Sequence, residues 1–397
     1  MSHVEIYDTT LRDGSQGEGI SFSREDKLKI LKCLDDFAID FVEGGWPGSN
    51  PKDVEFFHAA KDVALSHARL VSFGSTCRPG KDPSEDKNIQ ALIEVGTPVV
   101  TIFGKTWKLH VTEIIRTTLE ENVRMIEDSV RYLRSQGKEV IYDAEHFFDG
   151  YRDDPGYALE TLAAAQRGGA RVLVLCDTNG GTLPRTVGTA VKQVRERLQG
   201  ASLGIHTHND SGVATANSLE AIEQGAMHIQ GTFNGLGERC GNADLSDIIP
   251  SLILKMGKTL SISRQRLVRL THTARYVCAI ANRTFPENHP YVGQMAFAHK
   301  AGVHVNSVMK LANTYEHIPP DEVGNSRRIL ISELSGKANI QHLAIARGLD
   351  LDAHPQAAQR AVDEIKQLEN EGFVFEGAEA SSALIVLKHM ERLPDFF

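Results

Sequence analysis

The sequence predicts an α/β fold in which a TIM (β/α)8 barrel is followed by C-terminal, mostly helical sub-domains. Two observations favour this fold. Eight short apolar, β-branched segments alternate with longer helix-like segments, and the alternation stops after Ile249. Eight strand–helix units over roughly 250 residues are typical of this barrel. An open, doubly wound sheet is the alternative, but it usually carries a glycine-rich turn after its first strand.

The predicted elements follow from hydrophobic periodicity. Segments such as 23–37, 118–137 and 155–170 place apolar residues three and four positions apart, as amphipathic helices do, and several end near a glycine. The eight predicted strands, rich in β-branched residues, cover residues 4–11, 38–45, 69–76, 98–104, 139–146, 171–178, 202–209 and 228–235.

The periodicity changes beyond the barrel. A helical stretch at 263–281 leads into a loop with Pro286 and Pro290, and short helical and turn-rich segments follow. We therefore expect two parts, a catalytic barrel over residues 1–285 and C-terminal sub-domains over residues 286–397 that form a linker or lid region.

Composition excludes several classes of protein. The net charge of −9, without a cluster of Lys and Arg, argues against a nucleic-acid partner. No apolar run approaches the ~20 residues of a membrane span, and the N-terminus lacks the pattern of a signal peptide. The five cysteines are scattered and never in CxxC spacing, which favours a reducing compartment. We expect a cytoplasmic protein that acts on small molecules, with no membrane or nucleic-acid partner.

Polar residues concentrate at the carboxyl ends of the predicted strands. In a TIM barrel these ends form one mouth, where active sites lie. The acids of the segment 35–45 are expected mostly to cap or solvate helix and strand ends. The residues at the strand ends are Arg12, Asp13, Glu43, Asp143, Glu145, Asp177, Thr178, His206, His208 and Asn234.

His206 and His208 form the strongest element of this set. Residues two apart on a strand point to the same side, so both imidazoles can face one ion. The alternative is a pair of ordinary half-buried histidines. Asp13 and Asn242 offer oxygen donors at the same mouth, and two imidazoles with oxygen ligands suit Mn, Co, Zn or Mg. The sequence therefore predicts a divalent metal site.

The segment GLGERCGNADL, residues 235–245, follows the eighth predicted strand. Its glycine spacing differs from that of a dinucleotide-binding turn, and a plain tight turn is one interpretation. The functional interpretation is that Gly235, Gly237 and Gly241 allow a bulky phosphate-bearing ligand to approach the backbone closely while Asn242 turns toward the metal.

Other polar residues have a structural alternative as well. Glu145 is either a solvated strand-end carboxylate or a base, or part of a base relay, near Arg12. His228, His272 and His342 have no evident ligand partners in the sequence and are expected to be structural.

Four ordered motifs carry a resemblance to a known family. They are YDTTLRDGSQ at 7–16, HTHND at 206–210, GLGERCGNADL at 235–245 and HKAGVH at 299–304. With them the chain resembles the 2-isopropylmalate, homocitrate and citramalate synthases of the DRE-TIM metallolyase superfamily, from about residue 4 to the C-terminus. The segments 145–162 and 174–184 are most similar to the citramalate synthase branch.

The resemblance implies a Claisen-type condensation of acetyl-CoA with a 2-oxo acid, followed by hydrolysis of the thioester. It implies roles for several of the strand-end residues, and it implies CoA as the phosphate-bearing ligand of Gly235, Gly237 and Gly241. Arg12 would polarise the keto oxygen, Glu145 would take part in proton abstraction, and Thr178 would hold the carboxylate of the 2-oxo acid. The implied metal ligands are Asp13, His206 and His208, with Asn242 as a fourth, weaker one.

Two residues of the C-terminal region also match the family. His304 and Tyr315 correspond to residues that related synthases bring into the site, often at the partner subunit's barrel, so the resemblance implies a homodimer. His304 is a candidate partner for Glu145. Members of this subgroup usually continue into a regulatory domain, whereas this chain stops at LPDFF. We expect that domain to be absent from this chain, and we assign no feedback inhibitor.

The leading hypothesis for the reaction is the formation of (R)-citramalate and CoA from acetyl-CoA and pyruvate, the first step of a threonine-independent route to isoleucine. The 2-isopropylmalate and homocitrate synthases differ in the 2-oxo acid, and Phe103 and Asp143 are expected to line the pocket that selects it. A bulky Phe103 favours pyruvate.

Two alternatives lie outside this class of reaction. A hydroxymethylglutaryl-CoA lyase would share the barrel and the metal but would not need His304 and Tyr315. A non-catalytic protein that binds metal or CoA would not need Arg12 and Glu145.

Overall fold

The computed structural model describes residues 3–393. Its strands β1 to β8 form a closed parallel barrel in chain order, which confirms the predicted TIM barrel. The strands are β1 (Glu5–Asp8), β2 (Phe41–Gly45), β3 (Arg69–Ser75), β4 (Val99–Lys105), β5 (Glu139–Glu145), β6 (Val172–Asp177), β7 (Ser202–Thr207) and β8 (His228–Gly231).

Helices alternate with these strands, as the periodicity predicts. Within the described residues, no helix has both the length and the apolar character needed to span a membrane. The helices before Phe285 are α1 (Arg24–Phe37), α2 (Pro51–Ala60), α3 (Lys87–Glu94), α4 (Leu119–Ser135), α5 (Phe147–Asp153), α6 (Pro155–Gly168), α7 (Pro184–Arg197), α8 (Ala214–Glu223), α9 (Leu245–Pro250), α10 (Arg264–Leu267) and α11 (Leu270–Ile280).

Local sequence signals set the ends of the long helices. Helix α1 begins with a capping box, in which Ser23 and Asp26 each bond the backbone N–H of the other. Helix α6 begins after Asp154, whose side chain accepts the N–H of Tyr157, and ends at Gly169 in a left-handed conformation with φ of 96°. These caps satisfy backbone groups that the helices themselves leave unpaired.

The chain divides into two compact units between Phe285 and Pro286. The second unit has its own apolar core, in which Ile340, Val362 and Val386 are buried. It also holds two short parallel strands, β9 (Ala298–His299) and β10 (Arg328–Ile329). Its helices are α12 (Gly302–Lys310), α13 (Lys337–Ala346), α14 (Ala357–Asn370) and α15 (Glu379–His389).

Apolar side chains and ion pairs close the amino-terminal end of the barrel. Tyr7, Phe41, Val71 and Val99 are among the residues of a buried cluster inside it. Below this cluster, Arg171 forms two hydrogen bonds with Glu5, of 2.8 and 2.9 Å. The barrel interior is therefore filled, which leaves the carboxyl end as its open mouth.

Several strands are shorter than predicted. The residues that were predicted as their carboxyl ends lie instead in the loops of the site. Strand β1 ends at Asp8 because the carboxylate of Asp8 accepts hydrogen bonds from the N–H and hydroxyl of Thr10, at 2.9 and 2.8 Å. The chain turns there, and the amide N–H of Gly14 reaches the carbonyl of Thr9. This turn carries Arg12 and Asp13 over the mouth of the barrel.

Candidate active site

A cavity of about 240 Å³ opens at the carboxyl ends of the barrel strands. Residues of strands β3 to β7 and of the loops that follow β1, β2, β6, β7 and β8 line it, which is the arrangement expected of a TIM-barrel active site. The lining residues are Arg12, Asp13, Gln16, Trp46, Phe73, Phe103, Asp143, Glu145, Cys176, Thr178, His206, His208, Glu238 and Arg239.

Asp13, His206 and His208 bring three metal-ligating atoms together at one side of this cavity. All three side chains are buried, and the three atoms lie within 4.8 Å of one another. Nε2 of His206 is 3.3 Å from Nε2 of His208 and 3.5 Å from Oδ2 of Asp13. The close approach of the two imidazole nitrogens is favourable when a cation or a shared proton lies between them.

The backbone of Asn242 holds this residue next to the cluster. It forms an antiparallel bridge with His208, which continues the edge of β7 into the loop after β8. Its Nδ2 donates to the carbonyl of Leu236 at 3.0 Å, whereas its buried Oδ1 has no hydrogen-bond partner within residues 3–393. The side chain of Asn242 also hydrogen-bonds Asp13, which places its amide at the cluster, and a metal ion would satisfy the unpaired buried oxygen of that amide.

The electrostatics of the cluster fit a divalent cation. Burial by itself would raise the pKa of Asp13, but the charges of Arg12, His206 and His208 lower that pKa to about 2. Burial and the neighbouring His206 lower the pKa of His208 to about 4. At neutral pH the cluster therefore offers a carboxylate, the lone pair of a neutral imidazole at His208, and an amide oxygen, a donor set that suits Mn, Mg, Co or Zn.

Arg12 is fixed by a residue whose role the sequence did not indicate. Its Nε donates to Oε1 of Glu43 at 2.5 Å, its Nη1 donates to Oδ2 of Asp13 at 3.2 Å, and its guanidinium lies 3.8 Å from the ring centre of Phe73. Glu43 is fully buried and also accepts the hydroxyl of Thr9 at 2.6 Å. Glu43 is thus an exception to the expectation that most acids of the segment 35–45 cap or solvate helix and strand ends.

Glu145 forms an ion pair with Lys105 on the neighbouring strand. The two residues are register partners at the ends of β4 and β5, and the Lys105 ammonium donates to Oε2 of Glu145. The amide of Asn122 donates to the carbonyl of Lys105 at 2.8 Å and holds the end of the strand. The candidate base thus has a partner within the barrel that sequence analysis missed, because the pairing depends on strand register.

Thr178 is held with its hydroxyl hydrogen available. Its Oγ1 accepts the backbone N–H of His146 at 2.8 Å. His146 adopts a left-handed backbone conformation with φ of 55°, which is uncommon for a residue other than glycine and is often found at functional sites. Since a lone pair of the oxygen is occupied, the hydroxyl is free to donate to an anionic group in the cavity.

Three aromatic rings form the wall of the cavity. The ring centres of Phe73 and Phe103 are 5.6 Å apart, and Trp46 meets both rings edge-on at 5.8 and 5.6 Å. The indole N–H of Trp46 donates to Oδ1 of Asn88 at 2.6 Å, which fixes the ring. Phe103 was predicted from the sequence, whereas Trp46, which follows β2, and Phe73, which lies within β3, were not.

Asp143 also lines the cavity, as predicted. Burial and the nearby charge of Glu43 raise the pKa of Asp143 to about 8, so its carboxyl is largely protonated at neutral pH. Its Oδ1 accepts the amide N–H of Gln230 at 2.9 Å, and Gln230 is a residue that the sequence did not single out.

The glycines of the loop after β8 are explained by the loop itself. A Cβ on Gly241 would lie 1.9 Å from the carbonyl oxygen of Gly235, and a Cβ on Gly237 would lie 2.2 Å from Nδ2 of Asn242. The loop therefore needs glycine to fold closely around Asn242, and CoA binding by these three glycines stays a prediction. Asn234 turns away from the mouth, with its amide donating to the carbonyl of Ala274.

His304 and Tyr315 belong to the second unit, where their rings lie together with centres 4.3 Å apart. Glu316, next to Tyr315, is buried and accepts hydrogen bonds from Arg327 at 2.6 Å through both carboxylate oxygens. The structure thus brings the two predicted residues to each other, and their part in the reaction stays a prediction.

The fold and the site define a barrel enzyme, and the chain belongs to the HMGL-like family, which it matches over residues 3–277. Residues 291–372 match the homocitrate synthase post-HMGL domain-like family. These matches confirm the resemblance to the DRE-TIM superfamily. The chain is 53% identical to the (R)-citramalate synthase of Aquifex aeolicus, over 99% of this chain and 74% of that protein.

More distant relatives separate the branches of the family. The 2-isopropylmalate synthase of Sulfolobus acidocaldarius is 32% identical, over 96% of this chain and 95% of that protein. Among solved structures, the HMG-CoA lyase of Brucella melitensis covers 71% of this chain and all of its own chain, with a TM-score of 0.60 and 20% identity. That likeness shows the barrel fold alone, whereas the sequence identities group this chain with the (R)-citramalate synthases.

Proposed function

We infer that this protein condenses acetyl-CoA with pyruvate and hydrolyses the resulting thioester to give (R)-citramalate and CoA. The observation that carries this inference is the cavity of about 240 Å³, which has a cluster of metal-ligating groups on one side and a wall of three aromatic rings on the other. Such a cavity accepts a small molecule with one anionic, chelating end and one apolar end. Pyruvate has this form.

Pyruvate binding follows from the groups that face the cavity. Asp13, His206, His208 and Asn242 are the residues that would hold a divalent cation. When bound, that cation supplies Lewis-acid polarisation of the keto oxygen. The hydroxyl of Thr178 donates to the carboxylate of pyruvate, and the methyl group packs against the aromatic wall.

Carbon–carbon bond formation requires removal of a proton from the methyl group of acetyl-CoA. Glu145, which pairs with Lys105, accepts that proton, and the methyl carbon then bonds to the keto carbon of pyruvate. The keto oxygen becomes an alkoxide. Arg12 provides a fixed positive charge beside this alkoxide until the alkoxide takes up a proton. Electrostatic stabilisation of this kind, aimed at charge that develops in the transition state, is usually the largest single contribution to catalysis.

Hydrolysis of the thioester completes the reaction. Water adds to the thioester carbonyl, the carbon–sulfur bond breaks, and CoA leaves as the thiol. Protonated Glu145 lines the cavity, where it can pass a proton to the leaving sulfur, and Lys105 is its ion-pair partner. The pair His304 and Tyr315 is proposed to assist from the second unit.

Specificity for pyruvate rests on the aromatic wall. Because Trp46, Phe73 and Phe103 pack on one another, none of them can move without disturbing the other two. A branched substituent such as the isopropyl group of 2-oxoisovalerate would have to displace this set.

The biological setting is part of the same proposal. We place the enzyme in the cytoplasm, as a homodimer, at the first step of a threonine-independent route to isoleucine. All five cysteines are free, which is the usual state in a reducing compartment. Light scattering coupled to gel filtration would test the dimer.

The test is a thiol-release assay with acetyl-CoA, Mn²⁺ and a panel of 2-oxo acids, with the product identified by chiral chromatography. We expect CoA release with pyruvate well above release with 2-oxoisovalerate, 2-oxoglutarate or glyoxylate, and (R)-citramalate as the product. The variant His208→Ala is expected to stay folded and to lose bound metal and activity together.

Other outcomes would assign a different function. A preference for 2-oxoisovalerate would make the protein a 2-isopropylmalate synthase. Absence of CoA release with every 2-oxo acid, together with cleavage of hydroxymethylglutaryl-CoA, would make it a lyase. Full turnover by the His208→Ala variant would remove the two histidines from the metal site.

A further inference from the structure

Gln230 lies between the proposed metal site and the proposed substrate pocket. It is the third residue of β8 and is fully buried. Its Oε1 is 2.9 Å from Nδ1 of His206, and its Nε2 donates to Oδ1 of Asp143 at 2.9 Å. Both polar atoms of one amide are thus committed to residues that line the cavity.

Strand register produces this contact. His206 and Gln230 are aligned partners on β7 and β8, so their side chains leave the sheet beside each other on the same side. Asp143 is on β5, on the other side of the barrel from β8, and its side chain reaches Gln230 through the barrel interior. The chain from Asp143 through Gln230 to His206 is therefore built from three different strands.

The bond between Gln230 and His206 determines which imidazole nitrogen is free. An amide oxygen only accepts, so Nδ1 of His206 carries the hydrogen in this arrangement and Nε2 keeps its lone pair. That lone pair faces Nε2 of His208 and Oδ2 of Asp13, at 3.3 and 3.5 Å. It therefore points to where the other ligand atoms meet.

Asp143 determines the orientation of the amide. If the amide of Gln230 were reversed, its oxygen would face Oδ1 of Asp143 and its NH₂ group would face Nδ1 of His206. The hydrogen of His206 would then move to Nε2 and block the ligand position. The reversed amide would need the carboxyl proton of Asp143 to lie on Oδ1, whereas in the structure Oδ1 accepts from Gln230 at 2.9 Å.

We propose that Gln230 is a positioning residue that holds His206 in the tautomer whose Nε2 binds a divalent cation, and that Asp143 holds Gln230 in the orientation this requires. The proposal rests on the proposed metal site and not on the identity of the 2-oxo acid. Two hydrogen bonds thus connect Asp143 in the substrate pocket to the metal ligand His206, so a substitution at Asp143 is expected to change the affinity for the metal.

The test is a titration of Mn²⁺ into the metal-free full-length chain, followed by the electron paramagnetic resonance signal of free Mn²⁺ and without any substrate. Gln230→Met has about the length of glutamine but has neither the amide oxygen nor the N–H donors, and it is expected to weaken Mn²⁺ binding by about 10- to 100-fold. Gln224→Met, at a glutamine whose amide bonds Glu220 outside the cavity, is the control and is expected to bind as the wild type does.

A paired exchange keeps the proposal testable if Gln230→Met folds poorly. In the double variant Gln230→Glu with Asp143→Asn, one carboxylate oxygen still accepts from His206, and the new amide at 143 donates to the other. We expect this variant to recover most of the Mn²⁺ affinity that Gln230→Met loses. Nitrogen-15 chemical shifts of the histidines should show His206 protonated at Nδ1 in the wild type and in the double variant.

Each outcome decides the matter. Equal Mn²⁺ affinity of Gln230→Met and wild type, or a wild-type His206 protonated at Nε2, would overturn the positioning role and leave the proposed function standing. Failure of the wild-type chain to bind Mn²⁺ would overturn the metal site, and with it both proposals.

Discussion

Polar side chains in the cavity are each held by a partner that determines which of their atoms can meet a substrate. Arg12 donates from Nε to Glu43 and from Nη1 to Asp13, so its remaining N–H groups are those that can face a developing negative charge. Thr178 accepts a hydrogen bond from His146 and therefore donates. The site is preorganised in this sense, and the cost of aligning these groups is met on folding rather than during the reaction.

The donor role of Thr178 can be tested by removing its hydroxyl. Thr178→Val keeps the shape of the side chain and is expected to raise the KM for pyruvate by about 10- to 100-fold, because a hydrogen bond to a charged group contributes roughly 1.5–3 kcal/mol. Thr178→Ser keeps the donor and is expected to keep KM near that of the wild type. Steady-state kinetics would check this, and a wild-type KM in the valine variant would contradict it.

The partnership of Lys105 with Glu145 leads to a second prediction. Lys105→Met keeps the aliphatic stem, removes the charge and is expected to lower kcat by about 100-fold, a typical contribution of acid–base groups, with little change in KM for pyruvate. The isotope effect with methyl-deuterated acetyl-CoA should rise because proton removal becomes slower. The control is Lys108→Met, since Lys108 pairs with Asp154 outside the cavity. An unchanged isotope effect together with an unchanged kcat would exclude Lys105 from proton transfer.

Among the structural elements, the loop 235–245 positions the candidate metal ligand Asn242 through the tight packing of the loop's own backbone. Its backbone joins the end of β7, with the N–H of Asn209 donating to the carbonyl of Gly241 at 2.9 Å. This contact and the bridge between Asn242 and His208 place the loop beside the two histidines. The two glycines whose added Cβ atoms would collide within the loop are therefore structural requirements of the candidate metal site.

Gly241→Ala tests this requirement. The added Cβ would lie 1.9 Å from the carbonyl oxygen of Gly235, so the loop must shift and Asn242 must move with it. We expect Mn²⁺ binding to weaken by about tenfold or more. Gly257→Ala is the matched control, because Gly257 also has a positive φ, of 61°, but has nothing within 4 Å of its added Cβ. Equal Mn²⁺ affinity in the two variants would show that the loop geometry does not matter for the metal.

Strands and helices could be predicted from the sequence because their periodicity is local, whereas the contacts between strands could not. The eight strands were found in order, with errors confined mostly to their carboxyl ends, where side chains such as Asp8 turn the chain. Residues within recognisable motifs, such as Asp13 and His206, were assigned as candidates. Lys105 and Gln230 were missed because each acts through a neighbour on another strand, and only the register of the barrel reveals that neighbour.

In the molecule as a whole, the two ends of the barrel have different roles. The carboxyl end carries the candidate active site, and the amino end contributes to stability. The cavity occupies the carboxyl end, and half-buried ion pairs occupy the amino end. There, Glu5 bonds Arg171 and lies 3.2 Å from Nδ1 of the fully buried His228. Although burial acts to raise it, hydrogen bonds from His228 and Arg171 lower the pKa of Glu5 to about 2, and burial lowers the pKa of His228.

These two shifts predict that acid destabilises the barrel. Below pH 6.5 the unfolded chain protonates His228 more readily than the folded chain does, and below pH 4.5 the same holds for Glu5, so the free energy of unfolding falls as the pH falls. Glu5→Gln should lower the free energy of unfolding at pH 7 by about 2 kcal/mol and reduce its loss below pH 4.5. The exposed Glu55→Gln is the control, and urea unfolding at several pH values is the measurement. A Glu5→Gln variant with the wild-type pH dependence would contradict this.

We infer that this barrel selects pyruvate because its cavity is small, with metal-ligating groups at one end and aromatic rings at the other. The most direct measurement is the ratio of kcat/KM for pyruvate to kcat/KM for 2-oxoisovalerate, with acetyl-CoA and Mn²⁺ saturating. We predict a ratio of about 100 or more in favour of pyruvate, since even one methylene in an apolar pocket changes discrimination by about 10- to 200-fold. A ratio of one, or a preference for 2-oxoisovalerate, would contradict the account.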